Sequence, residues 1–318
     1  EARVLAVRDA HPAWGARKLA HWLARDGVCV PAVSTVHAIL QRNGRIVAPL
    51  GGPRAHVRFE KEAPNVLWQM DFKGWTRLAD GGRCHPLTII DDHSRYALGL
   101  DACADEQGRT VQGRLGRVFC RYGLPQGVFV DNGTPWGDAS GGRWTRFGVW
   151  LLKLGVDVVH SRPYHPQSRG KNERFHRTLK AEVFALRRFR DLADVQRALD
   201  AWRSVYNLER PHQALDHAVP ATRYRVSPRA MPARLPDVAY DAGEIVRTVP
   251  TSNDYISFKG RRWKVPQAFR GERLAIRPLA TDGHFGVFFA AHQVATIALT
   301  DAKSVGHVPE QVSAMSPG

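Results

Sequence analysis

At 318 residues, with 43% hydrophobic and 24% charged side chains, the chain is long enough for two or three domains and ordinary in composition for a globular protein. Its charge is not ordinary: 46 Lys and Arg against 30 Asp and Glu give +16 at pH 7, which favours a polyanionic partner and puts nucleic acid first. No apolar run approaches membrane-spanning length and no secretory signal is visible, which disfavours a membrane surface. The four cysteines, Cys29, Cys84, Cys103 and Cys120, form no C-x-x-C pair and lie beside no zinc-spaced His pair, which argues against zinc and for a reducing cytoplasm. The chain starts at Glu1 without a methionine, so further N-terminal sequence is expected.

Residues 1–46 read as helices. The first covers Ala2–Ala10, and HPAWGARKLAHWLARDG (11–27) carries a second, with Leu19, Leu23 and the Trp14/Trp22 pair on apolar faces and Gly27 at its end. PAVSTVHAILQRNG (31–44) carries a third, capped at Ser34, with Val36, Ile39 and Leu40 inward and Gly44 as the stop. This pattern predicts a helix-turn-helix whose exposed Thr35, His37, Gln41 and Arg42 face a DNA groove; a generic helical bundle is the alternative. Residues 47–63, rich in Gly, Pro and basic side chains, read as a linker.

Residues 64–230 read as an α/β core and its following helix. NVLWQMDFKGW (65–75) alternates, with Val66, Trp68, Met70 and Phe72 on one face; PLTIIDD (86–92) is a buried central strand, and RYALGLDAC (95–103) returns after an Asp-His-Ser turn. A helix over 107–122, a short strand at GVFVD (127–131), a helix at VWLLKLG (149–155) and a strand at VDVVHS (156–161) follow. A long helix spans 169–186 with Phe175, Leu179 and Val183 inward, and another carries Leu192, Val195, Leu199 and Trp202. Three antiparallel strands followed by alternating helices and strands predict an α/β sheet covered on both faces. Residues 241–300 change to an all-β pattern, with YISFKGRRWKV (255–265) a hairpin turning at Lys-Gly, and read as a small β-barrel; residues 301–318 lack periodicity and read as a disordered tail.

Three carboxylates sit where chemistry would want them. Asp71 lies on the first strand, opposite the Val66–Phe72 stripe; Asp131 ends a short apolar strand before Asn132-Gly133; Glu173 lies on the long helix. Each has an ordinary explanation alone: a solvent-face aspartate, an Asp-Asn-Gly turn, a surface Glu173–Arg177 pair at i,i+4. Together they make an all-oxygen donor set, which suits Mg²⁺ or Mn²⁺ rather than zinc, and two such ions serve in-line displacement at phosphorus. Asp91 and Asp92 are read instead as turn residues satisfied by Arg95 or backbone amides.

WQMDFKGW, IIDDHSRYALG, VFVDNGTPWG and HSRPYHPQSRGKNERFHRTLKAEV, in that order, resemble the integrase core of bacterial insertion-sequence transposases, the Asp-Asp-Glu type shared with retroviral integrases; YNLERPHQALDHAVPATRY (206–224) resembles the segment after it. The resemblance spans about 65–225. It implies a ribonuclease-H-like mixed-sheet core with Asp71, Asp131 and Glu173 as a triad holding two Mg²⁺ or Mn²⁺ ions. It further implies cleavage at element ends, transfer of the freed 3′-hydroxyl into target DNA, and a dimer or larger assembly on double-stranded DNA in the bacterial cytoplasm, at the nucleoid. The N-terminal module would read the element's inverted repeats, and the C-terminal module is similar to the small DNA-binding barrel of retroviral integrases; their zinc-binding N-terminal domain has no counterpart here. Forty-one residues separate Asp131 from Glu173, more than is commonest in the family, and the surplus lies in the Gly-rich GDASGGRWTR (137–146). A metal-dependent nuclease without strand transfer, and a DNA-binding repressor with a dead core, are the alternatives.

Residues 160–190 hold nine Lys or Arg against two Glu. Lys171, Arg174 and Lys180 flank Glu173 as candidate phosphate contacts, as do Arg261, Arg262 and Lys264 on the C-terminal hairpin, with a solvated basic face as the alternative. Tyr164, His165 and Gln167 precede the long helix as candidate contacts to the end nucleotide, His165 with a candidate role in proton transfer, and Trp136 and Trp144 are expected to cover the sheet.

Overall fold

The structure, a computed structural model, describes residues 1–25, 29–46, 60–137, 144–160 and 170–300. The chain divides into two compact units, 1–134 with 156–231, and 135–155 with 232–318. The tail, most of the linker, Tyr164, His165, Gln167 and the middle of the Gly-rich loop lie outside the described residues.

The first unit opens with α1 (Ala2–Ala10), α2 (Ala16–Arg25) and α3 (Val33–Arg42), which close over Val4, Val7, Trp14, Leu19, Leu23, Val36, Ile39 and Leu40. Trp14 precedes α2 and stacks on His11 at 3.8 Å. Ser34 is not a cap: α3 starts at Val33 after Ala32, so Ser34 sits in the first turn. The end predicted at Gly27 falls outside the described residues.

The sheet of this unit is built from β1 (Leu67–Phe72), β2 (Thr76–Arg77), β3 (Arg83–Asp91), β4 (Ala97–Cys103), β5 (Gly127–Val130) and β6 (Asp157–His160). β3 pairs antiparallel with β1 and β4, while β5 runs parallel between β1 and β6. Three antiparallel strands followed by parallel additions form the mixed sheet of a ribonuclease-H-like fold. β2 continues β1 after one extra residue: Phe72 faces Leu87 and Thr76 faces Cys84, four steps against three, with Gly74 at φ +86°. Such a bulge re-aims a strand and is common beside active sites.

Helix α4 (Gly108–Tyr122) packs on β4 through Val111, Leu115, Val118 and Phe119, with Phe119 5.8 Å from the Trp68 ring. The other face is covered by α6 (Gly170–Leu179) and α7 (Leu192–Leu208), which share a core with Cys84, Ile90 and Leu100 through Phe175, Leu179, Val195, Leu199 and Trp202. α7 is capped by Asp191, whose side chain accepts from Asp194 N–H. The long helix predicted over 169–186 is α-helical only to Leu179. Lys180–Phe184 form a π-helical turn, closed by Ala185 N–H donating to Lys180 C=O at 2.8 Å, and Glu182 within it accepts from Trp202 Nε1 and Arg210 Nε. Periodicity over two turns cannot tell an i−5 bond from an i−4 bond, and single π turns of this kind recur near functional sites.

The second unit contains α5 (Arg146–Lys153), capped by Thr145, and the strands β7 (Ile245–Thr248), β8 (Tyr255–Phe258), β9 (Arg261–Lys264), β10 (Arg273–Pro278), β11 (His284–Phe289) and β12 (His292–Ala298). Strands β12-β11-β10-β7 form one antiparallel sheet and β8-β9 a separate hairpin, around Trp263, Phe269, Val287 and Phe289. The hairpin turn is Lys259-Gly260, at φ +48° and +73°, the two left-handed residues a tight two-residue turn requires. Of the two tryptophans expected to cover the sheet, Trp144 packs within the second unit on Phe269 at 5.5 Å, and Trp136 stacks edge-on to Phe147.

Candidate active site

The parallel pairing of β1 with β5 decides where the two aspartates lie. Leu67 faces Gly127, Trp68 faces Val128 and Gln69 faces Phe129; the pairing ends there, and Asp71 and Asp131 each follow two residues later, at the carboxyl end of this strand pair. Neighbouring strands lie about 4.8 Å apart and residues in register on them share a face. Asp71 and Asp131 are both half-buried. Asp131 Oδ1 accepts from Gly133 N–H at 2.9 Å, so the Asp-Asn-Gly turn exists, but it uses the aspartate side chain without burying it. His160 Nδ1 donates to the Asp131 carbonyl at 3.1 Å and ties the end of β5 to β6.

The face that Asp71 shares is fixed by Thr88, directly opposite it on β3. The Thr88 hydroxyl donates to the Asp71 carbonyl at 2.9 Å and lies 2.9 Å from His176 Nε2 on α6. That face of the sheet is therefore the one α6 covers. Asn172, Phe175 and Leu179 form the buried stripe of α6, while Glu173, Arg174, Arg177 and Lys180 are exposed. At 100° per residue, Glu173, His176 and Lys180 line one border of that stripe. Burial, with Lys73 nearby, holds the His176 imidazole down to about 4, so it is neutral at pH 7. Lys73 is itself lowered by burial and by Lys180, and its ammonium lies 4.7 Å from the Phe184 ring centroid.

Glu173 does not pair with Arg177: among the described residues neither makes a hydrogen bond or ion pair. Nor is a three-carboxylate cluster already formed. Among the described residues no three His, Cys, Asp or Glu converge closely enough to hold a metal ion. The two aspartates lie at the same end of the β1–β5 pair; the glutamate is on α6 with its carboxylate in solvent.

Of the predicted phosphate contacts, Arg174, Lys180, Thr35, His37, Arg261, Arg262 and Lys264 are exposed. Lys171 is not available in that way. Its ammonium reaches Asp92 Oδ1 at 2.6 Å, its side chain is 14% exposed, and burial lowers its pKa to about 8 against the pull of Asp92. A basic residue two positions before Glu173 falls on the sheet side of the helix, where only an ion pair makes it tolerable. Asp92 also accepts from Gln69 Nε2 and Lys61 N–H, while Asp91 accepts from Asn65 N–H, Ser94 N–H and Ser94 Oγ. Amides and hydroxyl therefore satisfy Asp91 as expected, but the Arg95 guanidinium turns to the Asp92 carbonyl and Glu60. Thr88, His176 and Lys73 were not singled out from sequence; the i,i+3 spacing of Glu173 and His176 was the available signal for the histidine.

Residues 61–166 and 154–220 both match the family described as integrase core domain, and residues 244–305 match the C-terminal domain of IS481 family transposases. The chain carries the integrase core of the insertion-sequence transposases. It is 28% identical over 158 residues to an insertion element IS476 protein of Xanthomonas euvesicatoria, covering 50% of this chain and 44% of that protein. It is 26% identical over 232 residues to an insertion element IS407 protein of Burkholderia multivorans, covering 69% of this chain and 78% of that one. The chain thus spans under half of the first relative. Among solved structures, a chain of the simian T-cell lymphotropic virus intasome in complex with the B56 gamma regulatory subunit of PP2A matches with 17% identity and a TM-score of 0.44, covering 92% of this chain and 98% of that one. The integrase core of this chain therefore runs through both aspartates and the glutamate. No helix among the described residues is long and apolar enough to cross a membrane.

Proposed function

We propose that this chain is a DNA transposase that cleaves the ends of an insertion element and joins the freed 3′-hydroxyls to target DNA. The observation that supports this reading is the parallel β1–β5 pairing, which brings Asp71 and Asp131 to the same end of the sheet within an integrase core. Glu173, on the same face and without an ion pair, supplies the third carboxylate. The donor set fits a hard divalent cation: it is all carboxylate oxygen, and Glu173 is exposed, so no core packing opposes its side chain swinging toward the aspartates. Asp71, Asp131 and Glu173 would hold two Mg²⁺ or Mn²⁺ ions, which when bound supply positive charge to the reacting phosphodiester.

The protein's own contribution is positioning. Arg174, Arg177 and Lys180 present cations along the helix beside Glu173, and Lys73 adds one from just past β1, so a phosphate backbone can lie across this face. Helices α1–α3, with Thr35 and His37 exposed on α3, are proposed as a helix-turn-helix reader of the element ends. The C-terminal strands, with Arg261 and Arg262, are proposed as a barrel-like second DNA contact, and the working form as a dimer or larger assembly on DNA in the bacterial cytoplasm.

The test is a labelled element-end duplex with Mn²⁺ and a second DNA. Nicked and joined products are expected, and Asp131→Asn is expected to lose both while still binding DNA. Nicks without joined product favour the nuclease; sequence-specific binding without any cleavage favours the repressor; an active Asp131→Asn removes that residue from the site.

A further inference from the structure

Helix α6 meets the sheet through two side-chain clamps. At its first turn Lys171 engages the fully buried Asp92. Further along, His176 engages Thr88, which is 0% exposed and stands opposite Asp71. A hydroxyl has one proton, and the Thr88 proton goes to the Asp71 carbonyl. The Thr88 oxygen must then accept from His176, so the neutral imidazole carries its hydrogen on Nε2. Two hydrogen bonds in series thus run from the border of the helix to the backbone of Asp71. Glu173 lies on the same border, three residues before His176.

We propose that Thr88 and His176 are positioning residues, which fix the rotation and height of α6 so that Glu173 is presented to Asp71 and Asp131. The proposal rests on the reading of those three carboxylates as the site. The clamp is needed there because, apart from Asn172, the buried stripe of α6 is apolar: Phe175 against Trp202 and Tyr206, and Leu179 in the same cluster. Such packing holds a helix down but tolerates a small roll about its axis, and a directional hydrogen bond does not. Misplacement of about 1 Å in a reacting constellation costs on the order of 100-fold in rate. Lys171–Asp92 cannot substitute, because it anchors the opposite border, away from Glu173. An ordinary buried histidine would need only some acceptor; this one is bonded to the residue that is itself bonded to a candidate metal-holding aspartate.

The experiment compares Thr88→Val, Thr88→Ser, His176→Gln and His176→Leu in the full chain, with Asp131→Asn run alongside. Valine keeps the shape of threonine and removes the hydroxyl; serine restores it, and glutamine offers an N–H at similar reach. Thr88→Val and His176→Leu are expected to lower kcat for end cleavage by about 10- to 100-fold. KM for DNA should stay within about twofold, and Thr88→Ser and His176→Gln should recover most of the loss. A readout independent of turnover, Mn²⁺ affinity followed by electron paramagnetic resonance, should weaken in Thr88→Val and recover in Thr88→Ser. Unchanged kcat and Mn²⁺ affinity in Thr88→Val overturn the proposal. So does a loss that serine does not repair, which marks Thr88 as a packing residue. If Asp131→Asn keeps full activity, the reading of the site has failed rather than the clamp alone.

Discussion

Two pairs of aspartates lie on the same sheet and do opposite things. Asp91 and Asp92 are 0% exposed and surrounded by donors: amides from Asn65, Ser94 and Lys61, the Ser94 hydroxyl, Gln69 and the Lys171 ammonium. Burial still raises Asp91 above the usual carboxylate range, which measures how much solvation it has given up. Asp71 and Asp131 stand half-buried at the carboxyl end of the parallel β1–β5 pair, and Thr88 opposite Asp71 bonds His176 of α6. The first pair is a turn built from charge and spends its oxygens on the fold. The second is only partly buried, and Asp131 still spends one oxygen on its own turn through Gly133 N–H. The lesson is that burial, not place at the end of a strand, separates the two pairs: one is enclosed by the fold and the other is reachable from solvent.

The largest contrast comes from removing one member of each pair. Asp131→Asn should abolish cleavage and joining with little change in stability. Asp92→Ala should instead unfold the protein more easily, by about 3–5 kcal/mol, because Lys171 loses its partner in a buried position. Urea denaturation beside the cleavage assay reads both, and a stable Asp92→Ala protein would dissolve the distinction.

A second contrast is in pH. His176 and His212 are held neutral by burial, near 4 and 3, well below the ordinary 6.5. Between those values and 6.5 the unfolded chain binds more protons, so stability is full above about pH 6.5 and falls as pH drops toward 4. Each histidine contributes up to roughly 3 kcal/mol to that fall. Denaturation from pH 7 to 4 should show the loss, and His176→Gln should reduce it while the His212 share remains. A wild-type profile level over that range would contradict the buried, neutral assignment.

The smallest contrast is along α6. Arg177 makes no ion pair with Glu173, so Arg177→Ala should change stability by less than about 0.5 kcal/mol. It should weaken DNA binding and reduce the salt slope by about one. A larger stability loss would mean the i,i+4 pair forms in solution after all.

Much of this was readable in the sequence, for identifiable reasons. β3 and β4 announce themselves because both faces are buried, so PLTIID and ALGLDAC are nearly continuous apolar runs. The Lys259-Gly260 turn is legible because glycine at the second position admits the left-handed pair. The two aspartates and the glutamate were picked out by order along the chain; the β1–β5 pairing shows both aspartates at the same end of the sheet, a proximity the sequence order alone does not give. Lys171 was misjudged because charge composition says nothing about which side of a helix a lysine takes, and Asp92 is 79 residues away in sequence. Thr88 and His176 were missed for the same reason: their bond spans 88 residues, and neither residue type is unusual in a strand or a helix. The π turn after Leu179 leaves the apolar spacing of Phe175, Leu179 and Val183 intact, so no pattern reveals it.

The central claim is that Asp71, Asp131 and Glu173 act as one metal-holding unit although, among the described residues, no three-carboxylate cluster is formed in the free chain. Mn²⁺ titration of the DNA-bound protein tests it most directly, comparing wild type with Asp71→Asn, Asp131→Asn, Glu173→Gln and Arg177→Ala. The account predicts that all three carboxylate variants lose Mn²⁺ affinity while Arg177→Ala keeps it. Glu173→Gln binding Mn²⁺ as tightly as wild type on DNA would contradict it.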